Sequence, residues 1–375
     1  MLSGRGEAVN ITFRISSYPG IPENPEIYLA GSFNNWNPGA EDYKLHKTAA
    51  GYEISLELTS KSSIEYKFTL GSWDTVEKGV EFREIANRTI IIPDSTITID
   101  HQVLNWRNIE MEQDQRLSTK TGDVQYIQDF YMPQLDRYRT IRVYLPPDYN
   151  ITDNRYPVIY MHDGQNLFDN ATSFAGEWQI DETLERLFRE NRFQGTIVVG
   201  IDNHHQKRFD EYCPWKNPQY GGGEGDRYVK FLATTLKPWI DEHYRTLSSG
   251  NDTAIAGSSL GGLIALYAAC KHPDVFGKAG VFSPAFWVAK KDIVKYVKKH
   301  HLSSSSRVYV DVGTEEGNNS EQNKAYLQDA EEISKLLRKN GLPESNLRLF
   351  IDKGALHNER HWAKRFPDAL LWLFK

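Results

Sequence analysis

Ala254-Ile255-Ala256-Gly257-Ser258-Ser259-Leu260-Gly261-Gly262-Leu263 is the stretch that decides the fold of this 375-residue chain. Within it, Gly257 to Gly261 form a Gly-x-Ser-x-Gly pattern, the turn that presents a serine hydroxyl between a strand and a helix. So tight a turn leaves no room for side chains at the two glycines, and the serine itself is held in a strained conformation. Glycine and serine abound in loops, so the pattern carries weight only with its flanks. Here the flanks agree. Thr253-Ala254-Ile255-Ala256 reads as a short buried strand, and Leu260 to Ala269 as an apolar helix. Ser259 is the candidate nucleophile, and Ser258 is the intervening residue.

A serine hydroxyl needs a base to remove its proton. In this strand–turn–helix context the acid follows the serine in the chain and the histidine comes last. Asn346 to Ile351 reads as a late strand, and the glycine-containing loop after it carries His357. Such a loop lies on the same rim as the serine turn, because the sites of open α/β sheets form outside the strand C-termini. His361 is the rival, but it opens an amphipathic closing helix and reads as a surface residue. For the acid, the strand Arg307 to Val312 breaks at Gly313 and then offers Glu315 and Glu316. Glu316 is the first choice, Glu315 the second, and Asp311, inside the strand, the third. A developing alkoxide needs two backbone N–H donors, one from Leu260 and one from the loop after an early strand. Tyr156 to Met161 is that strand, and Gln165, after Gly164, is the expected second donor. His162 reads as a histidine serving a buried backbone rather than chemistry. Asp202, Asn203, Arg208 and Tyr212, in and beyond the loop after the strand Thr196 to Ile201, are candidates to line a substrate pocket.

HDGQNLFD (162–169), GSSLGG (257–262), GTEEG (313–317) and GALHNERHW (354–362) together resemble the esterase branch of the α/β-hydrolases. That branch includes feruloyl and acetylxylan esterases, enterochelin-type siderophore esterases, S-formylglutathione hydrolases and mycolyltransferases. The likeness runs from near Gly122 to Lys375. It implies a Gly-Thr-x-acid pattern at Gly313 to Glu316, favouring Glu316, and a Gly-x-x-His loop ending at His357. Glutamate here replaces the aspartate of many relatives.

The first hundred residues have another texture, with β-branched and aromatic runs separated by Gly, Pro, Asn and Asp. Strands are expected over Val9–Ile15, Glu26–Ala30, Tyr52–Leu58, Ile64–Leu70, Arg88–Ile92 and Thr96–His101, the spacing of a small sandwich. Ile27 to Pro38 and Tyr66 to Trp73 resemble the starch- and glycogen-binding sandwich modules. In such a module Trp36, Trp73, Lys67 and Asn87 are the candidates to hold a sugar, by aromatic stacking and by hydrogen bonds to hydroxyls. The polar stretch 105–121 reads as a linker between a module at 1–104 and a catalytic domain at 122–375. The expected fold is therefore an α/β-hydrolase, a doubly wound and mostly parallel sheet, with a smaller N-terminal all-β, immunoglobulin-like sandwich.

A formal charge of −6 argues against a general nucleic-acid surface. The lysines at 290, 291, 295, 298 and 299 fit a solvated helix flank. Gly221 to Gly225 lacks the Gly-Lys-Ser/Thr ending of a phosphate loop. Cys213 and Cys270 show no zinc spacing, and neither a metal nor an organic cofactor is required. No apolar run reaches membrane-spanning length. The start of the sequence lacks a hydrophobic signal region, which implies a periplasmic or secreted protein if an export signal has been removed, and a cytoplasmic one otherwise. The expected function is a serine carboxylesterase that cleaves an acylated saccharide or a siderophore-type lactone through an acyl-enzyme. The expected partner is thus a small-molecule or oligosaccharide ester; for the N-terminal module the two readings are a packing domain beside the enzyme, which is preferred, and a glucan-binding one. The alternatives are a glucan-binding protein with a non-catalytic hydrolase scaffold, and an acyltransferase.

Overall fold

The computed structural model describes residues 7–18, 24–79, 85–107, 118–204, 206–218, 220–317 and 319–375. They fall into two compact units, Met1–Gln115 and Arg116–Lys375.

The N-terminal unit is all-β. Ala8–Ser17 lies between Gly51–Thr59, which it meets antiparallel, and Ile97–Gln102, which it meets in parallel. A second sheet is built from Tyr28–Gly31, Ser63–Thr69 and Arg88–Ile91. Alternation along each strand sends Ile11, Phe13, Ile15, Leu29, Tyr66 and Phe68 into one core, as expected for facing sheets. All six expected strands match within two residues at each end; the one expected from Glu26 pairs only from Tyr28. Asn105–Trp106, at the start of the expected linker, pairs with Glu77–Lys78, and Trp106 is buried. Residues 108–117 of that linker lie outside the described residues.

The second unit carries an eight-stranded sheet. Its strands are β1 (Asp123–Met132), β2 (Arg137–Leu145), β3 (Val158–His162), β4 (Ile197–Ile201), β5 (Thr253–Ser258), β6 (Lys278–Phe282), β7 (Arg307–Glu315) and β8 (Leu347–Leu356). They are ordered 1-2-4-3-5-6-7-8 across the sheet. β2 runs antiparallel to both β1 and β4, and every pairing from β4 to β8 is parallel. This is the mostly parallel sheet of an α/β-hydrolase. Both faces are covered, so the central strands are apolar throughout rather than alternating with polar residues. Val158, Tyr160 and Ile255 pack into the core on one face; Ile159, Met161, Ala254 and Ala256 pack into the core on the other. The helix Leu260–Lys271 behind β5 is buried along nearly its whole length, which explains its lack of polar residues. The α-helical segments Gly225–Phe231 and Lys237–His243 are joined by a π-helical stretch at Leu232–Leu236.

Candidate active site

Ser259 follows β5 at φ 57° and ψ −120°, a conformation that costs a non-glycine residue on the order of 1–3 kcal/mol and persists only where its surroundings impose it. Those surroundings are explicit. Ser259 N–H donates to Phe282 O at 3.0 Å, and its carbonyl accepts from the amides of Gly262, Leu263 and Ala285. A Cβ on Gly257 would sit 2.9 Å from the Gly261 backbone and from His162 Cδ2, so only glycine fits there. The turn thus projects the Ser259 side chain at the C-terminal rim of the sheet.

The acid and the histidine reach the same rim from β7 and β8. Glu316 lies just beyond the end of β7, buried, with its Oε2 2.5 Å from His357 Nδ1. Glu315, the second choice, is exposed at the strand's last position, where it pairs in register with Leu356. Asp311, the third, is wholly buried and accepts the Ser283 amide at 3.1 Å. Burial alone would push the Glu316 carboxyl up; hydrogen bonds from His357, Ser283 Oγ and the Gly313 amide outweigh it and hold the group below the ordinary carboxylate range. Asp311 goes the other way. Burial, aided by the nearby Glu316 charge and opposed by Arg365, pushes it up to about 7. His361 lies in the first turn of the helix Glu359–Leu373, its amide donating to Asn358 Oδ1 at 3.1 Å. Neither Ser259 Oγ nor His357 Nε2 has a hydrogen-bond partner among the described residues. Loose serine–histidine geometry is common before substrate binds.

Gln165, expected as the second amide donor, lies in the loop after β3. Gly164, Gln165 and Asn166 form one 3-10 turn beside the serine, and Asp163 Oδ2 would lie 3.6 Å from a Cβ on Gly261. The Gln165 and Leu260 N–H groups carry no hydrogen bond among the described residues, and Leu260 opens its helix, where first-turn amides are free. Gly164 packs so closely on β4 that a Cβ would meet Asp202 Oδ1 at 2.6 Å.

Of the four residues expected to line a pocket, Asn203, Arg208 and Tyr212 hydrogen-bond to this loop. Arg208 grips Asp163 through two bonds of 2.7 and 2.8 Å, and Asn203 Nδ2 adds a third at 2.6 Å. Tyr212 Oη is 3.1 Å from the Asp163 amide, and the Asn203 amide donates to Gln165 Oε1 at 3.0 Å. Asp202 pairs with Arg142 at 2.7 Å. Asp163 is a non-glycine residue at φ 58° and fully desolvated; burial would raise its carboxyl, but Arg208 and Asn203 hold it low. Asp202 and Asn203 also border an open cleft of about 520 Å³ with Tyr138 and Arg139, a cleft whose lining includes neither Ser259 nor His357. His162 is buried with Nδ1 3.0 Å from Tyr228 Oη, and burial drives it down to about 3, which makes it a neutral structural histidine.

Ser283, Trp362 and Arg365, which surround the acid, were not singled out in the sequence. The available signals were a serine immediately after a buried strand and a Trp/Arg pair three apart on the closing helix. In the N-terminal unit Trp36 and Trp73 are brought together with ring centroids 6.2 Å apart, and Trp73 is 38% exposed. Lys67 is buried with Nζ on Ile85 O at 2.6 Å, and Asn87 donates to Glu65 at 3.0 Å. Among the described residues one carboxylate group could hold a cation, Glu177, Asp181 and Glu182, with oxygens within 4.8 Å of one another. No helix of the described residues is long and apolar enough to cross a membrane.

Comparison with known proteins places this geometry. The family model described as "Esterase: Putative esterase" matches residues 133–373. The uncharacterized protein YbbA of Bacillus subtilis is 31% identical over 247 residues, covering 63% of this chain and 92% of YbbA. An alpha-amylase of Niallia circulans is 37% identical over 109 residues, 29% of this chain and 8% of the amylase, and this kind of likeness falls on the N-terminal region. Among solved structures, the enterobactin esterase FES of Shigella flexneri superposes with a TM-score of 0.55 at 13% identity, covering 97% of this chain and 92% of that one, a likeness of fold.

Proposed function

Because the chain belongs to the esterase family and is a carboxylic-ester hydrolase, we propose that it works through a Ser259–His357–Glu316 triad and an acyl-enzyme. Ser259 Oγ attacks the ester carbonyl carbon while His357 Nε2 takes its proton. The Leu260 and Gln165 amides hold the oxyanion. Collapse breaks the bond to the alcohol, which leaves with the proton from His357. Water, deprotonated by the same nitrogen, then attacks the acyl carbon and frees Ser259. The observation that carries this reading is the 2.5 Å contact between Glu316 Oε2 and His357 Nδ1, on the rim where strained Ser259 is displayed.

The site's wall supports a ring-bearing substrate. The Tyr326 ring is 5.3 Å from His357 and accepts the Trp287 indole N–H on its hydroxyl at 3.0 Å. Trp287 and Tyr220, 46% and 44% exposed, meet edge to face at 5.9 Å. Flat aromatic faces suit a phenolic acyl group or a sugar ring, so acylated saccharides and siderophore-type lactones are the substrates proposed. The test is a panel of p-nitrophenyl acetate, methyl ferulate, acetylated xylan and a catecholate trilactone, each run beside Ser259→Ala. Turnover of at least one ester that vanishes in the variant supports the reading; turnover that survives it refutes the triad.

The Trp36–Trp73 pair, half-buried at Trp36 and exposed at Trp73, favours a second property, glucan binding by the N-terminal unit. Neither ring is fully committed to the core, and a sugar face can stack on such a platform.

A further inference from the structure

We propose that Ser283 is a positioning residue: through Glu316 it fixes the tautomer in which His357 can act as a base. The proposal rests on the triad reading above. Ser283 stands one residue beyond β6 at φ 40° and is wholly buried. Its Oγ has three neighbours: Trp362 Nε1 at 2.8 Å, Arg365 Nη2 at 2.9 Å and Glu316 Oε1 at 2.7 Å. An indole N–H and a guanidinium can only donate, and a hydroxyl offers two lone pairs and one proton. Trp362 and Arg365 therefore occupy both lone pairs. The single proton of Ser283 has one place to go, Glu316 Oε1.

That direction propagates. Glu316 Oε1 also accepts the Gly313 amide, so two donors saturate this oxygen and the carboxylate presents Oε2 to His357. An ionised carboxylate accepts only, so the proton in the Glu316–His357 contact belongs to Nδ1. In the neutral imidazole Nε2 is then bare, the form that can take the Ser259 proton. Arg365 is itself oriented, with Nε 3.0 Å from Asp311 Oδ2 in an ion pair without hydrogen-bond alignment, and Nη1 3.5 Å from Asp352. Trp362 and Arg365 are three residues apart on the helix that begins two residues after His357, so one element carries both the histidine loop and the donors that set its partner.

The test combines spectroscopy on the resting protein with a double-mutant cycle. The short Glu316–His357 hydrogen bond should give a far-downfield proton resonance, identified by its loss in His357→Ala and retained in Ser259→Ala. Ser283→Ala should broaden or abolish that resonance and lower kcat by about 10- to 100-fold, with KM for p-nitrophenyl acetate nearly unchanged. In a Glu316→Gln background the same substitution should add less than about a twofold loss, because residues acting through one group are not additive. Trp362→Phe removes one donor while sparing the hydroxyl, and should weaken the resonance and couple to Glu316 in the same sense; it serves in place of Ser283→Ala should that variant not fold. An unaltered resonance, or losses that multiply fully across the cycle, overturns the proposal. Should activity survive Ser259→Ala, the triad reading fails instead, while the resonance still judges Ser283 by itself.

Discussion

At the scale of single residues, the account turns on three side chains that arrive on separate loops. Ser259→Ala should lower ester turnover on the order of a thousandfold or more, because triad members act as a unit. His357→Ala should be nearly as damaging and His361→Ala mild; the ratio of the two turnover numbers checks the assignment, since His357 contacts Glu316 and His361 stands in a helix turn. Glu316→Gln should cost about ten- to ten-thousandfold, more than Glu315→Gln or Asp311→Asn, because an amide cannot stabilise an imidazolium as a carboxylate does. Equal kcat in the three variants would point to a serine–histidine dyad. These residues were legible because each sits just past a strand end, a signal that is local, although β7 and β8 run on through Gly313 and Gly354 to Glu315 and Leu356, beyond the ends at Val312 and Ile351 expected from the sequence. Ser283, Trp362 and Arg365 were not, since their importance comes from converging on one carboxylate from β6 and the closing helix, which no local pattern records.

At the scale of elements, the loop after β3 is held by side chains as well as by its own backbone turn. Polar groups past a strand end commonly face substrate, the basis for expecting Arg208 and Asn203 at a pocket. Both also meet a second demand, the buried Asp163 carboxylate at positive φ, which must be paired to persist. Arg208→Met should therefore destabilise the protein by about 3–5 kcal/mol, seen as a lower urea midpoint, because it strands a buried charge. Should it cost less than about 1 kcal/mol, Arg208 is not the brace described. A second buried carboxyl gives a pH test. Glu359, at the start of the closing helix, is pushed by burial up to about 8 from an ordinary 4.5, and its Oε1 accepts a hydrogen bond from Asn166 Nδ2 at 3.1 Å. Its contribution to stability is fully present below pH 4.5 and lost as pH rises through 8, since the native state favours the protonated form. Glu359→Gln keeps the acceptor and cannot ionise, so its Tm should gain on wild type steadily across that window. A pH-independent difference would contradict the assignment.

At the scale of the molecule, the fold class and the all-β character of the N-terminal region follow from patterning that is strong in this chain. The apolar β3, β4, β5 and β7 runs can only be buried on both faces, and the alternating N-terminal runs can only face one core. The π-helical stretch at Leu232–Leu236 and the pairing of Trp106 with Glu77 escaped the sequence because both depend on distant partners. For the N-terminal unit, Trp73→Ala should abolish retention of the intact chain on starch and leave hydrolysis of a small soluble ester unchanged, since each stacking platform contributes roughly 1 kcal/mol. Starch retention that is undiminished in the variant would remove the tryptophan pair from the binding surface. The central claim, that this rim carries an activated serine at position 259, is tested most directly by treating the protein with a serine-directed phosphonate and mapping the adduct by mass spectrometry. The account predicts stoichiometric labelling at Ser259 that is lost in His357→Ala; an adduct on Ser258, or no serine adduct, would contradict it.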